Sequence, residues 1–283
     1  MLYVDGKWVE EGQPAVSPED RGYNFGDGIY EVIRVYKGKL FTWDAHISRL
    51  YRSAREIRLD LPWTEAQLRE IVEQLMAKNP EEAKGDAIVY LQISRGATPR
   101  VHDIPAQSRP VLMAFVRKME RPLEKRNQGL RGQLVEDIRW LRCDLKTLNL
   151  LGAVLVKEYA KDAGAQDAIM HRNGFVTECS SSNVFAVKDG TLYTHQADNL
   201  ILHGITRQVV IDLARKNGLT VVEEAFTPDF LLQADEVFLT STTQEVMPFV
   251  SVNGQPIGDG KPGPVTQKLQ ALFDQHIEEE VLV

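Results

Sequence analysis

The stretch 136–155, EDIRWLRCDLKTLNLLGAVL, places a lysine, Lys146, among leucines that look destined for a core. An ammonium is expensive to bury without a partner. Lys146 therefore either snorkels to the surface along its own stem or is held where its neutral amine acts as a nucleophile. Its surroundings have to decide.

Working outward from this stretch, RGQLVEDIRW reads as a strand and TLNLLGAVLVKEYAKDAG as a helix closed by Gly164. Downstream, AIMHRNGFVTE and NVFAVKDGTLYTH are hairpins turning at Asn173-Gly174 and Asp189-Gly190. A helix runs over ITRQVVIDLARKNG from just after Gly204 to Gly218, further strands fill EVFLTSTTQEVMPFVSVNG, and QKLQALFDQHIEEE is a terminal helix. Upstream, LYVDGKWVE is a hairpin turning at Asp5-Gly6. IYEVIRVYKGKLFTW is two strands joined by Lys37-Gly38-Lys39, with Tyr30, Val32, Arg34 and Tyr36 on one face. A helix starting near Asp44 as N-cap carries the apolar stripe Ile47, Leu50, Tyr51, Ala54 and Ile57. A second spans Trp63 to Lys78, capped by Thr64 or Pro62. AIVYLQISRG and RPVLMAFVRK are strands linked by the loop ATPRVHDIPAQS. The charged run KMERPLEKRNQG is the best interdomain linker. The expected organisation is mixed α/β: an N-terminal domain over 1–119, a linker over 120–128 and a C-terminal domain over 129–283.

The totals narrow the function. A formal charge of −7 with interspersed signs argues against nucleic acid as the main partner. No apolar run approaches bilayer-spanning length, and the opening MLYVDGKWVEEGQ carries no signal-peptide core. Cys143 and Cys179 read as reduced thiols of a cytoplasmic protein, small semi-buried side chains rather than catalysts. The six histidines form no zinc-binding cluster, so no metal is expected. There is no P-loop and no GxSxG elbow, and the glycines of GYNFGDG have the wrong spacing for a dinucleotide fingerprint. Ser180-Ser181-Ser182 permits a Ser–Lys hydrolase with Lys146 as base, against the plainer reading of a polar turn.

At EDIRWLRCDLKTLNLLGAVL the chain resembles the fold type IV pyridoxal-phosphate enzymes, and within them the bacterial D-amino-acid transaminases. The resemblance extends, in family order and over nearly the whole chain, through EDRGYNFGDGIYEVIRVY, HISRLYRSA, SRGATPRVH, HRNGFVTECSSSNVF, LHGITRQVV and VFLTSTTQEV. It implies a smaller N-terminal α/β domain, a larger C-terminal pseudo-barrel domain, and pyridoxal 5'-phosphate as cofactor. Lys146 matches the Schiff-base lysine, whose amine must be neutral to hold an aldehyde and then move the substrate's Cα proton. Glu178 matches the carboxylate facing the cofactor's ring nitrogen. Phosphate ligands are implied at Ile205 and Thr206, where Gly204 opens a helix, and at Arg49 and Thr242. Leu202 matches a residue that packs on the ring, compatible with its reading as a core leucine. Arg49 rests on the resemblance alone, because periodicity sets it opposite the apolar stripe, on a solvated face.

For the substrate, the resemblance implies that Arg100 and His102, in TPRVH, clamp the α-carboxylate together with Tyr30. That loop reaches over from a neighbouring subunit in the family, so a homodimer with a shared site is implied. The implied reaction is D-alanine plus 2-oxoglutarate giving pyruvate plus D-glutamate, by a ping-pong route. Fixing the carboxylate and the nitrogen points the Cα hydrogen at Lys146 in one enantiomer only. Rivals of the same fold are branched-chain L-amino-acid and (R)-amine transaminases and aminodeoxychorismate lyase. The Ser–Lys hydrolase and a non-catalytic binder of the cofactor stand outside it.

Overall fold

Six antiparallel strands organise the first of two units in the computed structural model, which describes residues 1–13 and 16–282. This unit takes Met1–Glu120 together with a short later segment, Leu145–Asn149. Its elements are β1 (Leu2–Val4), β2 (Lys7–Val9), α1 (Arg21–Phe25), β3 (Gly28–Tyr36), β4 (Lys39–Leu40), α2 (Trp43–Glu56), α3 (Glu65–Lys78), α4 (Pro80–Ala83), β5 (Ala87–Ser94) and β6 (Val111–Lys118). The sheet order is β2-β1-β6-β5-β3-β4. Asp5 and Gly6 turn the first hairpin at φ 46° and 81°, the pair of left-handed residues that a two-residue hairpin needs.

One face of this sheet carries Ile29, Ile33 and Val35 of β3 and Ala87, Val89, Leu91 and Ile93 of β5 into a core with Ile47, Leu50 and Ala54 of α2 and Leu68, Val72 and Leu75 of α3. The stripe expected on α2 is therefore its packed face. The helix begins two residues early, at Trp43, because Thr42 rather than Asp44 takes the cap position, at φ 52°, and Asp44 falls in the first turn. α3 starts at Glu65 behind a capping box, Thr64 Oγ1 accepting from Gln67 N and Gln67 Oε1 accepting from Thr64 N. The opposite sheet face presents Tyr30 and Val32 of β3, Tyr90 and Gln92 of β5, and Met113 and Phe115 of β6, all half-buried.

The second unit takes Arg121–Asp144 and the chain from Leu150 onward. It contains α5 (Leu123–Gln128), β7 (Leu130–Glu136), α6 (Leu151–Asp162), β8 (Asp167–Arg172), β9 (Phe175–Cys179), β10 (Asn183–Lys188), β11 (Thr191–Thr194), α7 (Ile205–Lys216), β12 (Val221–Glu223), α8 (Pro228–Leu232), β13 (Glu236–Ser241), β14 (Glu245–Val252), β15 (Gln255–Pro256) and α9 (Pro264–Leu282). The charged run at 119–128 thus carries a helix where a linker is expected from composition. Arg121 and Arg126 anchor it by pairing with the Glu245 and Asp274 carboxylates.

The nine-stranded sheet runs β12-β11-β10-β13-β14-β7-β8-β9, with β15 beside β14. Its curvature follows from connectivity. β9 ends at Cys179 and β10 begins at Asn183, yet in sheet order they lie five places apart. Five steps across a flat sheet would be about 24 Å, whereas four Cα–Cα steps span at most about 15 Å. The sheet must curl toward closure, as a pseudo-barrel does. Its interior is filled by Ile169, Val184, Val237, Leu239, Met247 and Phe249 among others.

The segment of the first unit that carries Lys146 interrupts the second unit's sequence. Leu145–Asn149 is no helix, because its backbone groups are spent on β3. Tyr30 N donates to Lys146 O at 3.1 Å, Leu148 N donates to Gly28 O at 3.0 Å, and Thr147 bridges Ile29. The helix expected from Thr147 accordingly starts only at Leu151.

Candidate active site

In the first unit, the main chain of Lys146 is fixed at both ends of its peptide: its carbonyl takes the Tyr30 amide, and its own amide donates to the buried Ser53 Oγ at 3.2 Å. The side chain is half-buried, and Nζ lies 4.1 Å from the centroid of the Tyr30 ring. Among the described residues no carboxylate is paired with this ammonium. The Tyr30 ring in turn stacks on Tyr90 (5.7 Å, 26°), and Tyr90 on Phe115 (4.9 Å, 13°). Burial and the neighbouring Tyr30 push the Tyr90 phenol up to about 12, so it stays protonated and donates to Gln92 Oε1 at 2.9 Å.

Arg49 is the clearest departure from periodicity. It is 7% exposed and inside the protein, on a polar stripe of α2 formed with His46 and Ser53. The stripe is buried because Glu31, fully buried on β3, supplies its counter-charge. Arg49 Nε and Nη2 donate to the two Glu31 oxygens at 2.8 Å each, and His46 Nδ1 lies 2.8 Å from Oε2. Burial alone would raise the Glu31 carboxyl, but the Arg49 guanidinium and then His46 hold it down to about 2. Burial outweighs Glu31 at His46 and lowers its imidazole.

A depressed carboxyl stabilises the fold above its unfolded pKa and stops doing so as pH falls through the folded value. From the ordinary 4.5 to about 2, the shift corresponds to roughly 3 kcal/mol. Glu31→Gln is therefore expected to lower stability near neutrality by about 3–5 kcal/mol, leaving Arg49 buried without its anion. The gap to wild type should close between about pH 4.5 and 2. Chemical unfolding of both proteins across that range checks this, and a gap independent of pH would contradict it.

In the second unit Glu178 is 3% exposed on β9. Arg139 Nη1 donates to its Oε1 at 2.6 Å, Leu202 N to the same oxygen at 3.1 Å, and Asn183 Nδ2 to Oε2 at 2.9 Å. Burial nevertheless raises the Glu178 carboxyl, more than the Arg139 charge lowers it. Arg139 is shared with Asp137, whose two oxygens accept from Nε and Nη2. Asn183 Nδ2 also donates to Leu202 O, which ties the half-buried Leu202 to the same network.

Ile205 and Thr206 open α7, as expected, behind Gly204, whose cap position has no side-chain hydrogen bond. A Cβ on Gly204 would collide with Asn183 Oδ1, so the helix start and the Glu178 network require each other's geometry. Thr242 stands half-buried in the turn between β13 and β14. Arg100 and His102 are exposed on the loop after β5, both against the Phe25 ring (5.0 Å from Cζ, 5.6 Å between ring centroids), with no contact to Tyr30 described. The loop is tied back by Arg21 Nη1, which donates to Val101 O at 2.7 Å.

The structure thus gathers Lys146 and Tyr30 in one unit, along with Arg49 on α2, and Glu178 with Leu202 in the other. Ser180 is committed elsewhere, donating to the buried Asp167 at 2.6 Å, and Asp167 pairs with Lys157. Both cysteines are free and buried, and burial pushes the Cys143 thiol up to about 11 and that of Cys179 well above the ordinary range. Neither has the exposure or lowered pKa of a nucleophile. Sequence reasoning misses Glu31, His46, Ser53, Arg139 and Asn183. A signal exists for the α2 group, since His46, Arg49 and Ser53 recur at helical spacing just as the apolar stripe does.

The family described as amino-transferase class IV matches residues 28–252. D-alanine aminotransferase of Staphylococcus haemolyticus is 48% identical over 278 residues, covering 98% of each chain. Among solved structures, the branched-chain amino acid aminotransferase of Escherichia coli superposes with a TM-score of 0.91 at 28% identity, covering 97% of this chain and 93% of its own. The branched-chain aminotransferase of Thermoproteus uzoniensis, solved with norvaline, gives 0.89 at 27% identity, covering 97% and 93%. A further branched-chain enzyme, solved with pyridoxamine 5'-phosphate, gives 0.87 at 27% identity, covering 96% and 92%.

Proposed function

The chain belongs to the amino-transferase class IV family, and from that premise we propose that it is a pyridoxal-phosphate-dependent D-amino-acid transaminase, passing the amino group of D-alanine to 2-oxoglutarate in two ping-pong halves. The observation that carries the reading is Lys146, whose backbone is pinned by Tyr30 and Ser53 and whose amine rests on an aromatic ring with no carboxylate paired to it among the described residues. When bound, pyridoxal phosphate supplies an aldehyde for that amine and a ring able to take up electrons from an amino acid's Cα.

The residues present fit such a group. Lys146 would hold the aldehyde, and its Nζ would move the Cα proton. Glu178, with a carboxyl raised by burial yet still hydrogen-bonded, is suited to keep a proton on a ring nitrogen. The amides of Ile205 and Thr206 at the start of α7 attract a phosphate, and Thr242 adds a hydroxyl. Arg49 adds positive charge, with Glu31 fixing its orientation. Leu202 would pack on the ring.

Tyr30, with Arg100 and His102 of a second copy, holds the substrate's α-carboxylate. Two features support a homodimer with a shared site. The 95–110 loop leaves Arg100 and His102 exposed in a single chain. α6 also exposes an apolar stripe, Leu151 (71%), Val154 (53%), Leu155 (37%) and Tyr159 (48%), of the kind that marks an interface. The two buried free thiols accord with a cytoplasmic enzyme.

A branched-chain L-transaminase is the rival, since it shares the fold. Identity of 48% to a D-alanine aminotransferase against 28% to the branched-chain enzyme favours the D-reading. The test is spectroscopic. The yellow holoenzyme is expected to lose its visible band on adding D-alanine and to keep it with L-leucine. The reverse response would transfer the protein to the branched-chain group.

A further inference from the structure

Arg34 is 1% exposed, and its Nε, Nη1 and Nη2 are all buried without a hydrogen-bond partner among the described residues. The one contact described for its guanidinium is the Tyr36 ring, 5.2 Å from Cζ. The other buried arginines of the first unit are matched by carboxylates, Arg21 and Arg95 by Asp27 and Arg49 by Glu31. A guanidinium cannot escape burial by losing its proton. A cation on a neighbouring ring recovers only a small part of the lost hydration. The missing partner is therefore an anion that the described residues do not supply.

Position says which anion. Arg34 follows Tyr30 and Val32 at alternate positions of β3, so it belongs to the sheet face on which Tyr30 carries the Lys146 amine. Along the strand Tyr30 and Arg34 are about 13 Å apart at Cα, and the long arginine side chain covers part of that. On the reading proposed above, the substrate's nitrogen lies at Lys146, and a five-carbon diacid extends away from it by three further carbons to a second carboxylate. A planar guanidinium takes a carboxylate through two parallel hydrogen bonds. We propose that Arg34 recognises the distal carboxylate of dicarboxylic substrates, 2-oxoglutarate and D-glutamate, and so sets the amino acceptor. The arginine waits unpaired because monocarboxylic D-alanine and pyruvate must pass through the same site. This inference rests on the transaminase reading.

The experiment compares wild-type and Arg34→Met holoenzymes in single half-reactions. Methionine keeps a long, flexible side chain while removing the charge and the N–H donors, and an apolar side chain in place of an unpaired buried cation does not put folding at risk. For D-glutamate and 2-oxoglutarate the variant is expected to need about 10- to 100-fold more substrate for half-maximal rate, the range of a lost hydrogen bond to a charged group. For D-alanine and pyruvate the change is expected to stay within about threefold. Without turnover, glutarate is expected to raise the melting temperature of wild type but not of Arg34→Met, and butyrate that of neither. Equal losses for both substrate classes, no loss for either, or equal protection of both proteins by glutarate overturns the inference alone. A wild type that ignores D-alanine altogether overturns the transaminase reading, and this inference with it.

Discussion

Lys146→Ala is expected to slow transamination of D-alanine by at least about 10³-fold, since on the proposed function both the covalent holding group and the proton-transferring base are lost. The fold should survive. The bonds that fix this segment run through its backbone, from Tyr30 N and to Ser53 Oγ, and the removed side chain is only half-buried against a ring. Activity should return in part with an added small primary amine, which can occupy the vacated position. Single-turnover rates with and without methylamine, beside thermal melts of both proteins, check this. A variant within tenfold of wild type would mean that another group does the chemistry.

Glu178→Gln is expected to lower kcat by about 10- to 100-fold, the cost of exchanging a charge-assisted hydrogen bond for a neutral one. Glutamine keeps an oxygen for the Leu202 amide but loses the charge that faces Arg139 and, on the proposed function, a ring nitrogen. Arg139 remains paired through Asp137, so the local structure has a second anchor. The loss should fall on kcat more than on KM, because a proton held on the ring matters most when negative charge develops. An unchanged kcat would show that Glu178 serves packing alone.

Legibility in the sequence follows physical range. Hairpins are readable because their turns are written in adjacent residues, as at Asn173 and Gly174 with φ of 52° and 83°. The α2 stripe is readable because burial repeats with the helix. The start of α6 is not, because the leucines after Lys146 have helical spacing, while the competing partner, β3, lies more than a hundred residues away. Periodicity misplaces Arg49 on a solvated face for a related reason. Arg49 is buried because Glu31 supplies its counter-charge, and Glu31 sits on a different element. Arg139 and Asn183 are invisible because their task is to orient Glu178 across strands, which no local pattern encodes. The site residues themselves are reached through family resemblance. For Lys146 the local residues leave two readings open.

Borohydride reduction of the yellow holoenzyme, followed by peptide mapping, is the most direct measurement. The cofactor's mass is expected on the peptide containing Lys146 and on no other lysine. Its appearance elsewhere, or a map with Lys146 unmodified, would contradict the role given to this residue and with it the assignment of the site.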